Sequence, residues 1–151
     1  MELEKFYYDN KIPRAFAIAT FTWAIVGMLV GVIAAFQLAE PSLNLGVAQT
    51  TFGRLRPLHT NAVIFAFVGN GIFTAVYYSF PRVLKTSMYS MKLGWIHFWG
   101  WQFLIVLAAV TLLLGMTVSK EYAELEWPLD VLLTIIWVIF GINMIMTVLR
   151  R

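Results

Sequence analysis

Residues 93–119 read LGWIHFWGWQFLIVLAAVTLLLGMTVS, 27 consecutive residues without a charge, closed by Lys92 at one end and Lys120 at the other. A helix rises 1.5 Å per residue and the hydrocarbon core of a bilayer is about 30 Å thick, so about 20 apolar residues cross it. Three more uncharged blocks accompany this one: 15–39 between Arg14 and Glu40, 57–81 between Arg56 and Arg82, and 131–149 between Asp130 and Arg150, of 25, 25 and 19 residues. The chain of 151 residues is 60% hydrophobic and 13% charged, against about half and about a quarter in ordinary soluble domains. The expectation is an all-α polytopic membrane protein, a single membrane domain over 1–151 with transmembrane helices near 15–39, 57–81, 93–118 and 129–149.

The same arithmetic removes other classes. Strands of an outer-membrane barrel need about 10 alternating residues each, and no such alternation is present. The first block follows a basic segment, as a secretory leader does, but its 25 residues exceed the roughly 7 to 15 of a leader's apolar region. It reads as a retained helix. The net charge of +3 comes from cations at the ends of the apolar blocks, where lipid headgroups meet them, so the partner is a lipid bilayer and not nucleic acid. With no cysteine, the chain has no disulfide, no thiolate metal site and no attachment point for a covalent haem. A haem would be held by histidine or methionine.

Eight Lys and Arg residues lie before the first block, between the second and third, and after the fourth, against three in the other two connections. The positive-inside rule then puts both termini in the cytoplasm and the connections 40–56 and 120–130 outside. Pro57 and Pro128 suit the first turn of a helix, where a missing N–H costs nothing, and Pro81 suits a helix end. Trp95, Trp99 and Trp101 near the inner boundary and Trp127 at the outer one read as an interfacial aromatic belt. Gly27, Gly31 and Ala35, and on the second helix Ala62, Ala66 and Asn70, recur every four residues. Such stripes admit another helix backbone closely, or make a smooth face for a flat macrocycle.

An ionisable residue inside an apolar block is a functional hypothesis by default, and the chain has two histidines. His59 lies near the outer end of the second block, after Arg54 and Arg56, in the run FGRLRPLHTN. An imidazole there would serve a haem iron while arginines meet outward propionates through bidentate hydrogen bonds. The other reading is an interfacial histidine in a solvated cluster. His97 belongs to the opposite end, roughly 25 to 30 Å away at 1.5 Å per residue, so the two do not clamp one iron. It reads as an interfacial residue among tryptophans. In the loop SKEYAELEW, Glu121, Glu124 and Glu126 crowd together, either as a solvated acidic loop or as oxygen donors for a hard cation such as calcium. Gln102 and Asn143 are simplest as interhelical hydrogen-bonding groups.

The run Phe52 to Phe67, FGRLRPLHTNAVIFAF, resembles the second helix of the catalytic subunit of cbb3-type cytochrome c oxidases, members of the haem-copper oxidase superfamily. Leu93-Gly-Trp95, Phe98-Trp-Gly-Trp-Gln102, Leu114-Gly-Met116 and Ser119 to Trp127 are similar to that family's third helix and following loop. The likeness covers roughly 45–149; the first 44 residues fit the expected helix and are less diagnostic. It implies that His59 is one axial ligand of a low-spin haem b, which passes electrons from cytochrome c to an oxygen-reducing haem b3 and copper B, coupled to proton translocation. It further implies that Arg56 meets haem propionates, and that Glu121 and Glu124 lie near a calcium bridging propionates. Arg54 is added to the propionate set on its charge and place alone. His97 matches no ligand of the family.

The family's subunit has about twelve helices, and its remaining haem ligands and all copper ligands follow the fourth. The resemblance therefore implies an amino-terminal four-helix portion, either a truncated reading frame or a piece completed by another polypeptide, with no copper ligand and no oxygen reduction of its own. Its implied partners are the remainder of the catalytic subunit and membrane-anchored cytochrome c subunits, in a bacterial inner membrane. Two alternatives stand beside it: a nitric oxide reductase large-subunit fragment, and a non-catalytic four-helix protein binding one haem between two copies of His59.

Overall fold

The computed structural model describes residues 7–120 and 122–150. Among them four helices are long and apolar enough to cross a membrane: α1 (Lys11–Ala39), α2 (Phe52–Leu84), α3 (Met91–Leu114) and α4 (Trp127–Leu149). The all-α, four-span architecture is the one the uncharged blocks call for. All four helices run beyond those blocks at their amino-terminal ends, because a charge ends the hydrocarbon-compatible run without ending backbone hydrogen bonding. Lys11 and Arg14 thus lie inside α1, and Arg54 and Arg56 inside α2.

Pro57 is consequently not in a first turn. The amide N–H groups of Arg54 and Leu55 already bond the Thr51 carbonyl, so α2 starts at Phe52 and Pro57 sits inside it. Pro81 lies three residues before the end of α2, where Lys85 at φ 52 and a bond from the Thr86 N–H to the Pro81 carbonyl (3.0 Å) close the helix. Gly115, at φ +81, ends α3 earlier than expected: the Met116 N–H bonds the Thr111 carbonyl at 2.9 Å. Pro128 occupies the first turn of α4.

The middle of α2, Ala62–Gly69, is a π-helix. The spacing of buried residues records it: Asn61 and Ala66 are five apart, whereas Ala66, Asn70, Phe73, Tyr77 and Pro81 step by three or four. Such wide turns occur mostly as local insertions in α-helices, frequently at functional sites.

One face of α3 builds the core. Gly94, His97, Phe98, Trp101, Leu104, Ile105 and Leu112 are buried at the spacing of a helix stripe, against Phe16 of α1, Phe73 and Tyr77 of α2 and Ile136 of α4. The other face shows Ile96, Trp99, Phe103 and Val106. This corrects the aromatic-belt reading for two residues. Trp101 is 2% exposed and His97 fully buried, while Trp99 and Trp127, at 65% and 75%, remain on the outside. Membrane depth, which the belt argument uses, does not tell which way a helix faces.

Lipid offers no hydrophobic drive for helix association, so close packing and polar contacts hold the bundle. Gln102 of α3 accepts from Trp23 Nε1 and donates to Asn70 Oδ1, both at 2.8 Å, joining α1, α3 and α2. Asn143 and Thr147 of α4 accept the Ser90 and Tyr89 backbone N–H groups at 3.0 Å each, fixing the entry to α3. The interhelical role expected of Gln102 is observed, and Asn143 ties α4 to the segment leading into α3.

Candidate functional site

His59 lies two turns inside the start of α2 and is half-buried. Its Nδ1 stands 2.8 Å from the Gly27 carbonyl oxygen of α1. A carbonyl only accepts, so Nδ1 carries the proton and donates, leaving the lone pair on Nε2. That is the arrangement by which metal-bound histidines are oriented and made more basic. The ring lies over Gly31: a Cβ there would stand 2.5 Å from Cε1, 2.6 Å from Nδ1 and 3.0 Å from Nε2. The residues present therefore fit an imidazole ligand, with a fixed tautomer and a Nε2 that has no hydrogen-bond partner among the described residues. The smooth stripe of α1 is taken up by α2, through His59 at Gly31 and Ala62 at Gly27, so its role here is helix packing.

The arginines part company. Two residues apart on a helix, Arg54 and Arg56 point about 200° away from each other. Arg54 lies over Gly115 at the closing turn of α3, filling the space a side chain there would need; a cation is favoured at a helix carboxyl end. This departs from the expectation that it stands beside Arg56. Arg56, one turn before His59, lines a polar cleft of about 430 Å³ with Thr60, Thr117, Ser119, Lys120 and Glu124. Glu124 accepts from Asn61 Nδ2 at 3.0 Å, and its carbonyl accepts the Val118 N–H at 3.0 Å, folding the loop back on itself. Glu121 lies outside the described residues. Among those described, no three His, Asp or Glu residues gather as a metal site.

The family described as "Cytochrome C and Quinol oxidase polypeptide I" matches residues 11–151. The chain belongs to this oxidase polypeptide I family. It is 54% identical over 144 residues to the "Cbb3-type cytochrome c oxidase subunit CcoN1" of Stutzerimonas stutzeri, covering 95% of this chain and 30% of that protein. It is 50% identical over 148 residues to "Cytochrome c oxidase subunit 1" of Rhodobacter capsulatus, covering 96% and 28%. A homolog of that subunit from Agrobacterium tumefaciens (strain T37) is 44% identical over 144 residues, 95% of this chain and 26% of its own length. The chain spans less than a third of these curated relatives.

Within this oxidase polypeptide I chain, the second histidine serves packing. The His97 ring is enclosed by Phe16, Phe73 and Phe140, with centroids 5.3, 4.4 and 4.9 Å away. Its Nδ1 lies 3.1 Å from the Tyr77 hydroxyl and its Nε2 has no partner. The exposed place among tryptophans expected for it is corrected in its facing: position 97 shares the buried stripe of α3, so the ring turns into the bundle. Sequence reading also missed Gly27, Gly31 and Asn61 as neighbours of the site. The signal was depth: Gly31 and His59 lie eight and seven residues from the facing ends of consecutive antiparallel helices.

Proposed function

We propose that this chain forms part of the catalytic subunit of a cbb3-type terminal oxidase and supplies His59 as an axial ligand of its low-spin haem b. The observation that carries this reading is the bond from His59 Nδ1 to the Gly27 carbonyl, which directs the free lone pair to Nε2. A haem held by His59 would supply one-electron chemistry between cytochrome c and the oxygen-reducing haem b3 and copper B of the whole subunit, whose turnover would be coupled to proton translocation.

Each residue near His59 has a distinct task. Gly27 holds the imidazole proton, Gly31 leaves room for the ring, and Arg56 presents a guanidinium to a propionate at the cleft it shares with Thr60 and Glu124. Arg54 serves the closing turn of α3 instead. Glu124, with Glu121, is the proposed oxygen donor set near a calcium. His97 sits at the level of Phe16, far from His59 along α1, so the two histidines do not form a copper site; the copper ligands belong to the remainder of the subunit.

The charge distribution supports an orientation with both ends of this segment cytoplasmic, the bacterial relatives support an inner-membrane location, and membrane-anchored cytochrome c subunits are the proposed electron-donating partners. In the assembled complex containing this chain, His59→Ala is expected to abolish the low-spin haem spectrum. An unaltered spectrum overturns the assignment.

A further inference from the structure

We propose that Gly31 is a positioning residue, whose bare backbone, acting with the Gly27 carbonyl one turn earlier, sets the plane of the His59 ring and the donor strength of its Nε2. The inference rests on the reading of His59 as a haem ligand.

Rotation of an imidazole about its Cβ–Cγ bond is only weakly restrained by its own side chain, so an outside contact must hold it. Two are present. The Gly27 carbonyl draws Nδ1 to 2.8 Å. Gly31 lies against the ring itself, since three ring atoms stand 2.5 to 3.0 Å from where its Cβ would be. Neighbouring heavy atoms essentially never come that close to a Cβ, so a methyl group there must displace the ring. Displacing it turns the ligand plane and lengthens the Nδ1 bond together. The bond makes Nε2 a stronger donor, and hydrogen bonding behind an axial ligand is a lever on haem potential.

Ordinary small-residue packing looks different in this chain. A Cβ at Gly71, also on the side of α2 that faces α1, would meet only Thr20 Cγ2 at 3.7 Å, and one at Gly27 would meet Ala62 Cβ at 3.3 Å without touching the ring. Gly31 is the position of the three where an added methyl strikes the imidazole.

The test uses the assembled, haem-loaded complex, read by electron paramagnetic resonance of the low-spin haem and by its midpoint potential. Gly31→Ala is expected to shift the resonance g-values and raise the potential while the haem stays bound. Gly27→Ala, which separates α1 and α2 by a few tenths of an ångström, should raise the potential less. Gly71→Ala should change neither. Wild-type values in both Gly31→Ala and Gly27→Ala, with haem lost in His59→Ala, overturn the positioning role and leave the ligand assignment standing. Haem retained in His59→Ala overturns both. Equal shifts in all three glycine variants make the effect one of general packing and also overturn it. Should Gly31→Ala fail to assemble, Gly27→Ala against Gly71→Ala decides: a raised potential in the first alone supports the glycine seat, and equal potentials in the two overturn it.

Discussion

His59 and His97 both have Nδ1 in a hydrogen bond, yet one bonds a backbone carbonyl and the other a hydroxyl. The Gly27 carbonyl accepts and nothing else, so it fixes the His59 tautomer; the Tyr77 hydroxyl can donate or accept, so it leaves that of His97 open. His59 is half-buried beside a glycine, whereas His97 is fully enclosed by aromatic rings and its Nε2 has no partner. Phe16, which touches His97, and Gly27 to Gly31, which touch His59, are 11 and 15 residues apart on α1, placing the two rings roughly 17 to 22 Å apart in depth. A buried histidine is thus not by its burial a ligand. Of the two, His59 alone has a lone pair directed by a carbonyl bond and a ring that is not enclosed, which is what the proposed ligand role needs.

The sharpest way to break this contrast is to exchange the expected losses. His59→Ala should remove the low-spin haem spectrum of the assembled complex, while His97→Phe should leave it intact; loss of the spectrum in His97→Phe would join two sites that are here kept apart. Next in size, Trp101→Ala should lower stability by about 3 to 5 kcal/mol, as large aromatic truncations in packed cores do, measured by thermal unfolding in detergent, because its ring is 2% exposed and packed on Gly69. Gln102→Leu, which removes two interhelical bonds, should cost about 1 kcal/mol in the same assay. The smallest effect belongs to His97→Phe. It replaces a ring with an unpartnered buried nitrogen by an apolar ring of similar shape, a gain that offsets the lost Tyr77 contact, so its stability should stay within about 0.5 kcal/mol of the parent.

The four spans were legible because charge avoidance over about 20 residues leaves few alternatives to a membrane helix. Helix ends were less so: Phe52 to Arg56 carries two cations yet is helical, since Thr51 caps it through its carbonyl. At the candidate site, His59 was singled out by its type and depth, and Arg56 by its charge and its place near the same end of the block. The opposed direction of Arg54 follows from helical rotation, but only once α2 is known to begin at Phe52 rather than at Pro57. Gly27 and Gly31 were read as a packing stripe, and that reading holds; what it missed is that the partner surface includes an imidazole. His97 and Trp101 were misplaced because the stripe on α3 is hidden among apolar residues on every side, so hydropathy does not say which face turns inward.

The π-helical stretch Ala62–Gly69 has a consequence for how this segment tolerates length change. Each residue of a helix turns the chain by about 100°, and the five-residue step from Asn61 to Ala66 absorbs one residue more than a regular helix would. Deleting one residue there would let the helix rewind to ordinary geometry with His59 and both arginines still encoded. The part bearing Asn70, Phe73 and Tyr77 would keep its hold on the core, and His59, an ordinary turn away, would keep its face toward its glycine seat. Point substitutions test what a side chain does; a single deletion is absorbed at this place, and in the regular turns of α2 outside it would turn one half of the helix by about 100° against the other.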